Sequence, residues 1–215
     1  MGPPRRQARG KKSLLNDIDL NINSRTNLSY HINGNNTLTF NHLLNTFERE
    51  SDDPMVPPAE NAMREQRSFM KNILGLSYEN VAFRQKLRTT VFGKGYFMER
   101  KASLRTKTGN GPNQVVNLTE TNMTTQNYSF GGAISFKIIR QLMVMTSAER
   151  AVRLPEANEI FGIVAENIIA NPELKPERSD NFNFGIEFNP DLPKHNVIFR
   201  PNIFIRNTND LILRY

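Results

Sequence analysis

Arg153-Leu154-Pro155-Glu156-Ala157-Asn158-Glu159-Ile160-Phe161-Gly162 opens the stretch that decides the fold. After eight mixed residues come Asn171-Pro172-Glu173-Leu174-Lys175-Pro176-Glu177-Arg178-Ser179 and Asp180-Asn181-Phe182-Asn183-Phe184-Gly185-Ile186-Glu187-Phe188. Pro172 and Pro176 bias the residues before them away from helix, so the first two segments read as loop. The third alternates with period two. Phe182, Phe184, Ile186 and Phe188 fall on one face, and Asn181, Asn183, Gly185 and Glu187 on the other. A loop therefore feeds a strand with one apolar and one polar face.

Working outward, the same alternation recurs. Leu14, Ile18, Leu20, Ile22, Leu28, Tyr30 and Ile32 share one parity, opposite Asp17, Asp19, Asn21, Asn23, Asn27 and His31. This predicts one long strand, or two around Ser24-Arg25-Thr26. Asn33-Gly34-Asn35-Asn36 supplies residues that tolerate positive φ and predicts a hairpin. Leu38, Phe40 and Leu44 form the return strand. Met70, Leu74, Leu76 and Tyr78 predict a third strand, turning at Glu79-Asn80 into a fourth with Phe83, Leu87, Thr89, Val91 and Phe97. Tyr128, Phe130, Ile134, Phe136 and Ile138 predict a fifth. Leu142–Ala148 is apolar on both parities and also fits a short helix, but its neighbours favour a strand. Asn189–Pro193 reads as a short turn before a last strand from His195 to Arg206. Long polar loops are expected over 48–67, 99–125 and 149–178. Short and long connections thus alternate, as in outer-membrane barrels with short periplasmic turns and long extracellular loops.

These pieces carry a resemblance. The late barrel region of TonB-dependent outer-membrane receptors has an R-x-P-x-x-x-E-x-F-G-like segment, then N-P-x-L-x-P-E-x-S-x-N, then a strand. Arg153, Pro155, Glu159, Phe161 and Gly162 match the first. Asn171, Pro172, Leu174, Pro176, Glu177, Ser179 and Asn181 match the second. Phe204–Ile212, with Asn209 and Asp210, resembles the family's next strand and its N-D-x-I ending. The likeness implies an all-β fold: about eight antiparallel transmembrane strands of a roughly 22-stranded barrel. Residues 1–12 would be a basic disordered tail and 13–215 the partial barrel. The resemblance further implies an importer in the bacterial cell outer membrane, for a siderophore, vitamin or glycan. Its partners would be outer-membrane lipid, the small-molecule or glycan substrate, and the TonB complex, reached through a plug domain. The sequence shows no plug, so the expectation is a barrel fragment unable to transport alone. Its isolated sheet should stay open and curved, or aggregate.

Composition fits. No eighteen-residue apolar run exists, which excludes a membrane-spanning helix. The 38% hydrophobic content suits strands whose apolar residues alternate with polar ones. The net charge of +7 invites a nucleic-acid reading. However, Arg5, Arg6, Arg9, Lys11 and Lys12 lie in the tail. Removing those five from 28 basic residues leaves 23 against 21 acidic ones. No nucleic-acid motif accompanies the tail, and no nucleic-acid partner is expected. The chain has no Cys, which removes disulfides and thiolate chemistry.

No enzyme, cofactor or metal is expected. His31, His42 and His195 are scattered along strand patterns. Glu173, Glu177 and Glu187 read as solvated or channel-facing. Asp52-Asp53 lacks a calcium-loop pattern, and Gly93-Lys94-Gly95 lacks phosphate-loop spacing. The Pro-rich loops are read first as a structural loop folded back on the barrel rim, and second as direct ligand contact. Two other classes stay open: a complete eight-stranded membrane barrel with structural or adhesive function, and a soluble β-sandwich binding module. Pairing of the first strand with the last would mark the small barrel. Burial of the Phe182–Phe188 face would mark the sandwich.

Overall fold

The computed structural model describes residues 16–52, 65–108, 115–161, 171, 173–193, 195 and 197–212. The strands are β1 (Asn16–Asn33), β2 (Asn36–Asp52), β3 (Glu65–Ala82), β4 (Leu87–Thr108), β5 (Val115–Ile139), β6 (Leu142–Arg153), β7 (Glu177–Phe188) and β8 (Asn202–Asn209). One short helix, α1 (Ala157–Phe161), follows β6. The expected tail at residues 1–12, and Gly162 and Pro172 of the loop motifs, lie outside the described residues.

All eight strands form one antiparallel sheet in sequence order, with each strand hydrogen-bonded to its chain neighbours. Among the described residues β1 and β8 do not pair, so the sheet is open at both edges. This bears out the open sheet and removes the closed eight-stranded alternative. Long parity-matched rows run across it. Tyr30 lies opposite Leu38, Leu38 opposite Tyr78, and Tyr78 opposite Val91. β1 is one continuous strand through Ser24-Arg25-Thr26. Leu142–Ala148 is strand, because Leu142–Arg153 pairs residue for residue with Phe188–Glu177.

The two faces differ as the alternation requires. Phe182, Phe184 and Phe188 are 43%, 36% and 42% exposed, with no second layer against them among the described residues. Ile18, Leu20, Leu28, Tyr30, Leu76, Tyr128, Phe130, Ile203 and Ile205 are likewise exposed. So broad an apolar surface is unlike that of a soluble monomer and excludes the sandwich. Polar residues fill the opposite face, here called inner. That face also carries buried Phe47, Phe69, Tyr96, Met98 and Ala102, against which pack Leu154, Ile160 and Phe161 from beyond β6.

Three expectations need correction. The long polar loops are shorter than the sequence suggests. β2 and β3 continue to Asp52 and from Glu65, and β4 and β5 extend to Thr108 and from Val115. β4 has 22 residues and β5 has 25, whereas a tilted membrane strand needs about ten. Beyond the apolar band both faces are wet, so a fully paired strand leaves no period-two signal.

The second correction concerns the turn placed at Glu79-Asn80. Both residues are in β3, paired with Thr90 and Thr89, and Asn80 donates to Asn36 Oδ1 at 2.7 Å. The chain reverses instead at 83–86. There Phe83, Arg84 and Gln85 all take positive φ (51°, 55° and 66°), a run that propensity argues against.

The third is the last hairpin. β8 begins at Asn202, not His195. Single bridges nevertheless join Phe188 to Phe199 and Leu192 to His195, in the register that pairs Gly185 with Asn202. Pro201 lacks an N–H and interrupts the ladder, though its carbonyl still accepts from Ile186 N at 3.1 Å.

Candidate functional site

The feature that needs explanation is a division in the sheet. β5 and β6 pair only between Phe130↔Arg150 and Ile139↔Leu142. Beyond that row β5 continues with β4 to Val115, and β6 continues with β7 to Arg153. The segment after β6 crosses the division and lies on the inner face.

Its local sequence explains how. Glu156 precedes α1, and Glu159 sits three residues on. The Glu159 carboxylate accepts from the Glu156 N–H at 2.8 Å and from Arg153 Nη2 at 2.5 Å. This is the reciprocal half of a capping box, with the carboxylate placed at the helix start. Glu159 is buried and Pro155 fully so. Glu156 itself lies 3.4 Å from Lys71 Nζ on β3. The far end of α1 is apolar. Ile160 is completely buried, and the Phe161 ring stacks 6.2 Å from Phe47 and 6.4 Å from Phe69. Those two strand rings are 5.4 Å apart, within the range of favourable offset stacking.

The second motif returns the chain to the wall. Asn171 N donates to the Ile160 carbonyl at 2.9 Å, and Asn171 Oδ1 accepts from Glu173 N at 3.2 Å. This side-chain-to-backbone bond is the local turn chemistry that favours Asn there. The Leu174 carbonyl accepts from Arg100 Nη1 at 2.9 Å, and Arg100 Nη2 reaches Thr125 Oγ1 at 3.1 Å. Pro176 is buried beside the start of β7. Glu177 lies opposite Arg153, and its Oε2 accepts from Ile212 N at 3.4 Å. Asn209 lies opposite Arg178, and Asp210 follows β8 at φ 55°, a conformation Asp tolerates. A further tie spans the division, where Arg178 Nε and Nη2 donate to Asn127 Oδ1 at 3.2 and 2.8 Å.

Arg153, Pro155, Glu159 and Phe161 thus meet in one packed unit. Asn171 joins it through the Ile160 carbonyl. Leu174 joins the wall through Arg100, and Glu177 links to the residues just beyond Asn209 and Asp210. The sequence reading missed the receiving surface: Phe47, Phe69, Lys71, Met98 and Arg100. An aromatic at Phe47 and Phe69, off the apolar parity of its own strand, was the available signal. Nearer the short-turn end, the inner face has an open depression of about 500 Å³ bordered by Arg88, Ser135, Met145, Asn183, Arg200 and Asn202. Among the described residues no three His, Asp or Glu side chains gather as a metal site would require.

One sheet with a lipid-suited apolar face, a polar inner face and a loop packed inward is the wall of a transmembrane β-barrel. The family described as TonB dependent receptor-like, beta-barrel matches residues 73–214, and the chain belongs to it. Solved structures agree on the fold. The copper transporter OprC superposes with a TM-score of 0.65 at 12% identity, over 89% of this chain and 32% of OprC. A double mutant of the Serratia marcescens hemophore receptor HasR, in complex with its hemophore HasA and heme, gives 0.53 at 13% identity, over 90% and 33%. The chain therefore spans about a third of the length of these structures. No curated protein matches it significantly.

Proposed function

We propose that the chain forms part of the wall of an outer-membrane receptor that imports a small molecule or glycan, siderophores and vitamins included. Outer-membrane lipid contacts the Phe182–Phe188 face. Transport depends on a plug domain and on the TonB complex that acts through it. In this reading the chain is not an enzyme, and it supplies about eight of roughly 22 strands. OprC is named for copper and HasR for a hemophore and heme, but identities of 12% and 13% carry the fold and not the ligand.

The observation that carries the reading is the contrast between faces of β7: exposed Phe182, Phe184 and Phe188 outside, and buried Ser179 and Asn181 on the alternate parity inside. Arg153, Pro155, Glu159, Phe161, Asn171, Pro172, Leu174, Pro176, Glu177, Asn209 and Asp210 are assigned to ordering the long connection over the channel. The absence of Cys gives a clean test. Single cysteines at Phe184 and at Asn183 are introduced into the membrane-inserted chain. A lipid-soluble label should modify only the first, and a water-soluble label only the second. Equal labelling of both sites by the water-soluble reagent would refute the wall reading. Import is tested by ligand uptake in cells whose receptor carries this wall.

A further inference from the structure

The short-turn rim carries a charge pattern that import does not use. Its turns are stitched together: Val81 N donates to Asn35 O, Lys137 N to Lys86 O and Asn189 N to Gln141 O, each at 2.8 Å. On this rim Arg84, Lys86, Lys137 and Arg140 are all exposed. Among the described residues none has a carboxylate partner. The rim's own acids are already engaged. Glu79 pairs with Arg88 at 3.5 Å, Glu187 with Arg200 at 2.7 Å, and Asp191 accepts from Gln141. Four cations are thus uncommitted.

These cations sit beside exposed apolar groups. Phe83 is 71% exposed at the tip of its left-handed turn, next to Arg84. Ile138 and Ile139 separate Lys137 from Arg140 and are also exposed, as is Phe136 just before them. The apolar band and the cations meet along two adjacent hairpins. A soluble acidic partner would have no need of the first, and a neutral lipid none of the second. A molecule with an anionic phosphate head and hydrocarbon tails matches both, its phosphate held at the rim and its tails along Phe136, Ile138 and Leu87.

We propose that this rim binds anionic phospholipid of the leaflet at the short-turn end, with Arg84, Lys86 and Arg140 as headgroup contacts, whereas Lys137 shares the inward parity of Ser135 and faces the channel. The inference requires that the sheet spans a membrane, but not that it imports anything.

The test measures lipid held at the surface of the full chain, inserted in phosphatidylcholine vesicles that contain spin-labelled phosphatidylglycerol or phosphatidylcholine. The wild-type chain should favour phosphatidylglycerol at low salt, by roughly fivefold per engaged cation. The preference should collapse at high salt. The combined variant Arg84→Gln, Lys86→Gln, Arg140→Gln should insert with unchanged strand circular dichroism and show no preference. A second variant, Arg84→Lys with Arg140→Lys, keeps the charge and should keep the preference. Equal retention of both lipids by wild type overturns the proposal, as does preference persisting in the three-Gln variant. Displacement by inorganic phosphate as effective as by phosphatidylglycerol would show a free-anion site and also overturn it. A chain that inserts into neither vesicle refutes the membrane reading itself, a result distinct from insertion without preference.

Discussion

The Phe161 ring lies 6.2 Å from that of Phe47 and stacks on it, although one belongs to the β6–β7 connection and the other to β2. This contact carries the chain across the division between β5 and β6. It also converts a loop into an inner layer of the wall. Phe161→Ala removes a buried ring from a three-ring cluster, a change that costs about 3–5 kcal/mol in a closed core. The penalty should appear locally. Amide exchange over Ala157–Phe161 and protease cleavage between β6 and β7 should rise sharply, while strand circular dichroism stays constant. Loss of the whole sheet signal would show that the fold-back supports the strands rather than resting on them.

Glu159 separates two roles that the same carboxylate plays. It caps α1 through the Glu156 N–H and pairs with Arg153. Glu159→Gln keeps an acceptor at the helix start and loses the charge, whereas Glu159→Ala loses both. The Ala variant should destabilise the fold-back by about 1–2 kcal/mol and the Gln variant by less than half of that. The Arg153 side chain is 43% exposed, so water screens the ionic part. Exchange rates at Glu156 and Ile160 would report the order. Equal loss in the two variants would assign the effect to the ion pair.

Much of this wall was readable from residues alone, and what was missed has a physical cause. Phe182, Phe184, Ile186 and Phe188 declared their strand because one side faces a solvent unlike water. Val115–Gln126 gave no such sign, since a polar strand and a polar loop look alike when both faces are wet. The motif residues around Pro155 and Pro176 were visible as punctuation. Their landing site was not, because Phe47, Phe69 and Arg100 are far away in sequence and only register brings them together. The 83–86 turn was misplaced because Phe83, Arg84 and Gln85 have none of the usual turn chemistry.

That turn can be relieved. Gln85 holds φ 66°, where a side chain costs about 1–2 kcal/mol and Gly almost nothing. Gln85→Gly should therefore raise the urea midpoint of the detergent-folded chain by a stability gain of about 0.5–1 kcal/mol, after the entropy of the more flexible unfolded chain is deducted. A fall in midpoint would show that this backbone is not left-handed in solution.

Two neighbouring glycines should respond oppositely. A Cβ on Gly131 would lie 2.6 Å from Glu149 Cβ and 2.8 Å from the Ala148 carbonyl oxygen, both on the next strand. On Gly93 it would meet only the Ser129 carbonyl oxygen at 3.9 Å. Gly131→Ala should cost about 1–3 kcal/mol and widen the division that begins at Phe130 and Arg150. Gly93→Ala should be close to neutral. A thermal melt of each variant, with wild type alongside, distinguishes them.

The strongest test of which solvent each face meets places the same charge on both. Phe184 lies mid-way along the exposed apolar row of β7, and Ser135 lies on the polar face of β5, opposite Met145. Arginine near the bilayer midplane costs about 2–4 kcal/mol on the lipid side of a barrel strand and little on the channel side. Phe184→Arg also loses a large apolar contact with lipid, so Phe184→Ala is needed to subtract that part. The difference between the Arg and Ala variants at 184, measured as reversible unfolding from bilayers, should stay near 2–4 kcal/mol. The matching difference at 135 should fall below 1 kcal/mol. If both positions penalise arginine equally, the inner face is as dry as the outer one, and the sheet does not line a water-filled channel.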